Sequence, residues 1–174
     1  MSEYHNTKAE DRVPLGQKLA VGAGGFPIQN GGLIVQYMAQ PIFQIFLGLN
    51  PALFGLAMTI PRIWDAFTDP VMGRISDRTQ SRYGRRRPYV FVGALAVALT
   101  FLTIWMVPQS MGDTGTFLWL TIGSVLFFTA FTVFSVPFNA LVYEQTPDYH
   151  ERTRLMFYLA LFYNIGNLCV NWYV

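Results

Sequence analysis

The chain has 174 residues, of which 52% are hydrophobic and only 13% charged, with a formal net charge of +2. Soluble domains carry charge on about a quarter of their residues, so this composition excludes an ordinary soluble globule. The lone Cys169 likewise excludes an internal disulfide framework.

Residues 1–18 (MSEYHNTKAEDRVPLGQK) mix acids and bases and lack the short apolar core of a secretory signal. They are expected to form a cytoplasmic N-terminal segment. A first helix is predicted over about 19–48, interrupted by Pro27 and Pro41 and rich in glycine and amides. Its Gln29, Gln36, Gln40 and Gln44 fall within about 80° of one another at 100° per residue, which makes one polar stripe. Amides that both donate and accept suit sugar hydroxyls or the wall of a wet cavity. Used only as interhelical glue, a single one would need no ligand.

The second predicted helix, about 51–73, is apolar except for Arg62, Asp65 and Asp69. At 3.6 residues per turn these three share one face over about 10 Å of axis. A carboxylate facing lipid costs about 2.5–3.5 kcal/mol on insertion scales, so the pair must face the bundle interior or an aqueous cavity. A structural Arg–Asp pair accounts for one aspartate and leaves the other over. Two carboxylates one turn apart beside a single guanidinium can hold a cation or a proton. Thr68, on the same helix, could add an oxygen.

The loop 74–87 (RISDRTQSRYGRRR) is strongly basic, with Asp77 as its one acid. Three helices then follow, about 88–108, 116–142 and 154–174. Each is nearly free of charge and close to the ~20 residues that cross a bilayer. On the fourth, Thr132, Ser135 and Asn139 form a second polar stripe. With residues 1–18, 74–87 and 143–153 on one side, every lysine and arginine but Arg62 lies in or beside that side. The positive-inside rule makes it the cytoplasm. Because the basic loop is short and tied to the membrane at both ends, nucleic acid is not an expected partner. The chain reads as a multi-pass protein of the cell's inner (plasma) membrane, with residues 19–174 forming one partial transmembrane bundle.

Two stretches, RIWDAFTDPVMGRISDRTQSRYGRRRPY and VPFNALVYEQTPDYHERTRL, together with the spacing of the spans, resemble the glycoside–pentoside–hexuronide:cation symporters of the major facilitator superfamily. The resemblance implies an all-α membrane protein whose five transmembrane helices correspond to most of that fold's N-terminal six-helix bundle. It implies a coupling-cation site at Asp65 and Asp69, assisted by Thr68 and Thr132; the two aspartates would be metal ligands only if the ion is Na⁺. Gly73, Asp77, Arg78, Gly84 and Arg85 would occupy the superfamily's gating motif. Where melibiose-transporting members hold sugar with two carboxylates and an arginine, this sequence has Gln29 or Asn30, Ser135 and Ala160. The implied substrate is therefore a different one, contacted by Gln29, Asn30, Gln36, Gln40, Ser135 and Asn139.

The function expected is Na⁺- or H⁺-coupled transport of a sugar, glycoside or sugar acid by alternating access, with no cofactor beyond the coupling ion and no enzymatic step. The expected partners are that small molecule, the bilayer, and either a missing C-terminal bundle or a second copy, this chain being an incomplete carrier. Two other readings fit the D-x-x-x-D spacing or the five spans. One is an intramembrane Asp/Mg²⁺ enzyme such as a prenyltransferase, and the other a non-transporting half-bundle that serves as an assembly partner.

Overall fold

The computed structural model describes residues 11–108 and 111–173, except for the side chains of Gln29 and Tyr173. Among these residues every regular element is a helix. The elements are α1 (Leu15–Ala39), a π-helical segment (Gln40–Phe46), α2 (Pro51–Arg78), α3 (Arg87–Trp105), α4 (Asp113–Tyr143) and α5 (Tyr149–Tyr173).

Local chemistry explains the boundaries. Pro41 has no N–H to donate back along α1, and from Gln40 the winding widens to the π form. The first helix is therefore not the uniform span expected to residue 48. A glutamine stripe calculated at 100° per residue loses its phase beyond Ala39. Gly48, at φ +69°, makes the left-handed exit that a side chain would resist. Asn50 then caps α2 by accepting the Ala52 N–H at 2.8 Å, with Pro51 placed where a missing N–H costs nothing.

The second helix continues to Arg78, past the residue 73 at which its apolar run ends. Hydropathy marks where hydrocarbon stops, whereas the backbone ladder runs on into the polar boundary. By the same logic α5 starts at Tyr149, ahead of its apolar stretch, with Glu151 in its first turn. At its far end α3 stops at Trp105 rather than 108, the Met106 N–H turning back to the Thr103 carbonyl.

The chain forms two compact units, one from the described residues of Met1–Leu33 and Asn139–Val174 and one from Ile34–Phe138. In the first unit the early part of α1 runs parallel to α5. Positions without a Cβ permit the close approach: one added at Gly22 would lie 2.5 Å from the Phe162 ring, and one at Gly25 2.9 Å from Leu159. At its lower end Glu151, fully buried, accepts the Val13 N–H at 3.1 Å and an Arg154 N–H at 3.2 Å, and pairs with Lys18.

In the second unit α3 and α4 run antiparallel. Gly93 meets the backbone of Phe134, 2.7 Å from where a Cβ would stand, and Gly123 meets Ile104. The core joins Val35, Ala39 and Phe43 to Ala57, Ile104, Leu120, Phe127 and Phe128. Phe101 lies edge-on to Trp105 at 5.7 Å between centroids, and Phe127 edge-on to Phe128 at 5.3 Å.

Among the described residues two helices, α3 and α4, are long and apolar enough to cross a membrane by hydropathy alone. Glycines and amides lower the average of α1, six charged residues lower that of α2, and asparagines that of α5. Exposed side chains carry the further signal. Phe67, Phe91, Leu99, Leu168 and Trp172 are all more than half exposed on helical faces, a surface suited to lipid rather than water.

Candidate functional site

The charged part of α2 lies against α4 inside the second unit. Pairing advances in the same direction on both helices. The Arg62 guanidinium sits over the Phe128 ring at 4.6 Å, the Trp64 Nε1–H donates to Thr129 Oγ1 at 2.9 Å, and Thr132 donates to Asp69 Oδ1 at 2.8 Å. One turn further, Gly73 approaches Val136, which a Cβ would meet at 3.9 Å. The two helices are thus parallel, and a ladder of mixed polar and aromatic contacts sets their register.

Within that ladder the two carboxylates differ. Asp69 is exposed and holds the Thr132 hydroxyl. Asp65 is mostly enclosed, with Oδ2 4.0 Å from the Arg62 guanidinium and a buried Oδ1 that has no partner among the described residues. A buried carboxylate oxygen without a donor calls for a proton or a cation. Thr68 directs its hydroxyl proton to the carbonyls of Trp64 and Asp65, at 3.3 and 3.4 Å, so the hydroxyl expected to join the pair is turned to its own helix. No group of three or more His, Cys, Asp or Glu occurs among the described residues. A set of two carboxylates and a hydroxyl is all oxygen, which suits a hard monovalent ion or a proton better than a transition metal.

Next to this pair is a cavity of about 250 Å³ lined by Val35, Gln36, Met58, Thr59, Arg62 and Phe128. Gln36 and Arg62 thus share one space, with an aromatic face below the guanidinium. Gln40, also exposed, starts the π-helical segment, and Ser135 is half-buried on α4. In the first unit Asn139 is exposed, whereas Asn30 is fully buried, donating to the Phe26 carbonyl at 3.0 Å and lying against Gly166. As folded, Asn30 lies in the α1–α5 packing, with its Oδ1 buried and without a partner among the described residues. The Gln29 side chain lies outside the described residues.

In the basic loop Asp77 pairs with Arg86, the neighbour of the Arg85 expected from the motif. Arg78 is the last, exposed residue of α2, and Gly84 turns the chain at φ +99°. Sequence reasoning missed Phe128 and Thr129, and it missed Glu151 as a buried hub. The first two sit on the same α4 face as Thr132, and that periodicity was a usable signal. For Glu151 the only cue was an acid placed ahead of an apolar helix.

The family model for MFS/sugar transport proteins matches residues 20–174. The chain is 36% identical over 79% of its length to an uncharacterized symporter, sll1374, of Synechocystis, covering 26% of that protein. It is 30% identical over 94% of its length to sodium-dependent lysophosphatidylcholine symporter 1-B of Danio rerio, covering 31% of it. It is 27% identical over 90% of its length to the putative glycoside/cation symporter YagG of Escherichia coli, covering 33%. The chain therefore spans between a quarter and a third of the length of these relatives. Its helices are those of a multi-pass membrane protein. It belongs to the MFS/sugar transport protein family.

Proposed function

We propose that this chain supplies the ion-coupling wall of a cation symporter, with Na⁺ or H⁺ driving uptake of a sugar, glycoside or sugar acid by alternating access. The observation that carries the reading is the enclosed, unpartnered Asp65 Oδ1 one turn from an Asp69 already oriented by Thr132. A cation or proton shared by this pair removes most of the cost of carrying two carboxylates through an occluded state. Coupling follows if ion and solute favour the same conformation, since each then tightens the other by the same factor. Gln36, with Thr59 and Arg62, offers the solute donors and acceptors beside the ion, and Gln40, Ser135 and Asn139 are further candidate contacts. Gly73, Asp77, Arg78, Gly84 and the arginines after it form the cytoplasmic gate, where the Asp77–Arg86 pair breaks and re-forms.

The test is accumulation by vesicles bearing the carrier that contains this chain, under imposed Na⁺ or H⁺ gradients. A labelled glycoside, glucuronate and lysophosphatidylcholine serve as parallel probes. Gradient-driven accumulation of a glycoside or sugar acid, lost in both Asp65→Asn and Asp69→Asn, is the expected result. Accumulation of lysophosphatidylcholine alone would overturn the substrate class. Gradient-independent flux of every probe would overturn the coupling itself.

A further inference from the structure

The start of α3 carries a groove that meets the proposed gate only at Gly84 and Arg87. It has a volume of about 810 Å³, with Arg82, Tyr83 and Arg87 at one end and Phe91 and Val92 at the other. Gly84 reverses the chain between the two arginines, and its left-handed φ lets both flank the same space. The Arg82 guanidinium stacks at 4.8 Å over Tyr83, which holds it in place. Among the described residues neither Arg82 nor Arg87 has an acidic partner, and Asp77, the only acid of the loop, is taken by Arg86. The helix itself begins at Arg87 without a side-chain cap, which adds the positive end of its dipole. Two guanidinium groups, a phenol hydroxyl and a helix N-terminus together match a phosphate.

The floor of the groove decides which phosphate. Phe91 is 69% and Val92 58% exposed, and Leu95, Leu99 and Leu102 continue the apolar strip at helical spacing. That strip runs down a helix apolar enough to cross the membrane. A free phosphate would fill the charged end and leave the strip uncovered. A phospholipid fills both, its headgroup at the boundary and its acyl chain along α3. The groove lining offers cations and no carboxylate to receive an ammonium, so a net-negative headgroup is matched better than a zwitterionic one.

We propose that this groove is a binding site for one anionic phospholipid, the headgroup held by Arg82, Tyr83 and Arg87 and the acyl chain lying on Phe91, Val92 and Leu95. The assignment does not depend on the transport reading.

The purified chain, equilibrated in micelles with equal amounts of phosphatidylglycerol and phosphatidylcholine, is examined by native mass spectrometry. Phosphatidylglycerol adducts should predominate about fivefold or more, since each basic group near the headgroup contributes roughly that factor. The preference should fall to parity in the Arg82→Gln/Arg87→Gln double variant. Parity in the unaltered chain, or an undiminished preference in the double variant, overturns the proposal. Displacement of the lipid by millimolar inorganic phosphate would show a phosphate site instead and overturn it as well. Should the double variant fail to insert, the unaltered chain decides. Phosphatidylglycerol with a photoreactive acyl chain should label the peptide 88–102, and labelling confined to other helices counts against the site.

Discussion

Thr132 donates its hydroxyl proton to Asp69 at 2.8 Å, from one parallel helix to another. The bond gives one of the two carboxylates a fixed orientation, while the other, Asp65, keeps a buried oxygen without a donor among the described residues. In the proposed coupling site, an arriving ion would meet one arm already positioned and one that gains its partner only on binding.

Replacing Thr132 should thus weaken the ion more than the solute. A hydrogen bond to a charged group is worth about 1.5–3 kcal/mol. Thr132→Val in the carrier should accordingly raise the half-saturating cation concentration roughly tenfold or more, and Thr132→Ser should largely restore it. Ion-activation curves at fixed solute provide the check. Equal cation dependence in all three forms would separate Thr132 from the site.

Asp65→Asn and Asp69→Asn should each abolish uphill accumulation without reducing membrane insertion. An amide is cheaper than a carboxylate in a hydrophobic span. Protease accessibility of the loops reports insertion, and solute accumulation under an imposed gradient reports coupling. Loss of both together would mean a structural role.

Glu151 predicts a pH limit on stability. Burial pushes its carboxyl up, but the hydrogen bonds from Lys18 and the Val13 N–H and the charges of Lys18 and Arg154 outweigh that and hold it below the ordinary 4.5. A group whose pKa is lower folded than unfolded stabilises above the unfolded value, and the gain disappears as pH falls through the folded one. Thermal unfolding of the purified chain should be steady from neutral pH to about 5 and should weaken below 4.5. In Glu151→Gln the acid slope should shrink. Glu151→Ala, which leaves Lys18 buried without its partner, should cost about 3–5 kcal/mol at neutral pH.

Two glycines should respond oppositely to enlargement. A Cβ at Gly93 would stand 2.7 Å from the Phe134 backbone, which cannot yield as a flexible side chain does. Gly93→Val should separate α3 from α4 and destabilise by about 3 kcal/mol or more. At Gly73 the nearest atom is Val136 at 3.9 Å, ordinary contact distance, so Gly73→Ala should fold normally. Thermal shift in detergent distinguishes them. Comparable losses at both positions would show that the α3–α4 contact is looser than the Gly93 geometry requires.

The sequence by itself determined the helical class, the acidic pair on one face of α2 and the basic loop beyond it. These rest on local quantities: runs of apolar residues long enough for a bilayer, and a spacing of four that puts two side chains on one side of a helix. The winding of the first helix past Ala39 was less legible, because Pro41 can kink, end or widen a helix and only packing selects among these. Tertiary structure alone decided the partners. That Thr132 meets Asp69, that Phe128 lies under Arg62, that Arg86 pairs with Asp77, and that Asn30 is enclosed against Gly166 all depend on register and rotation between helices. Those are set by where small residues let backbones approach and where aromatic rings fill the space left, sums over many contacts between distant parts of the chain that no local spacing encodes.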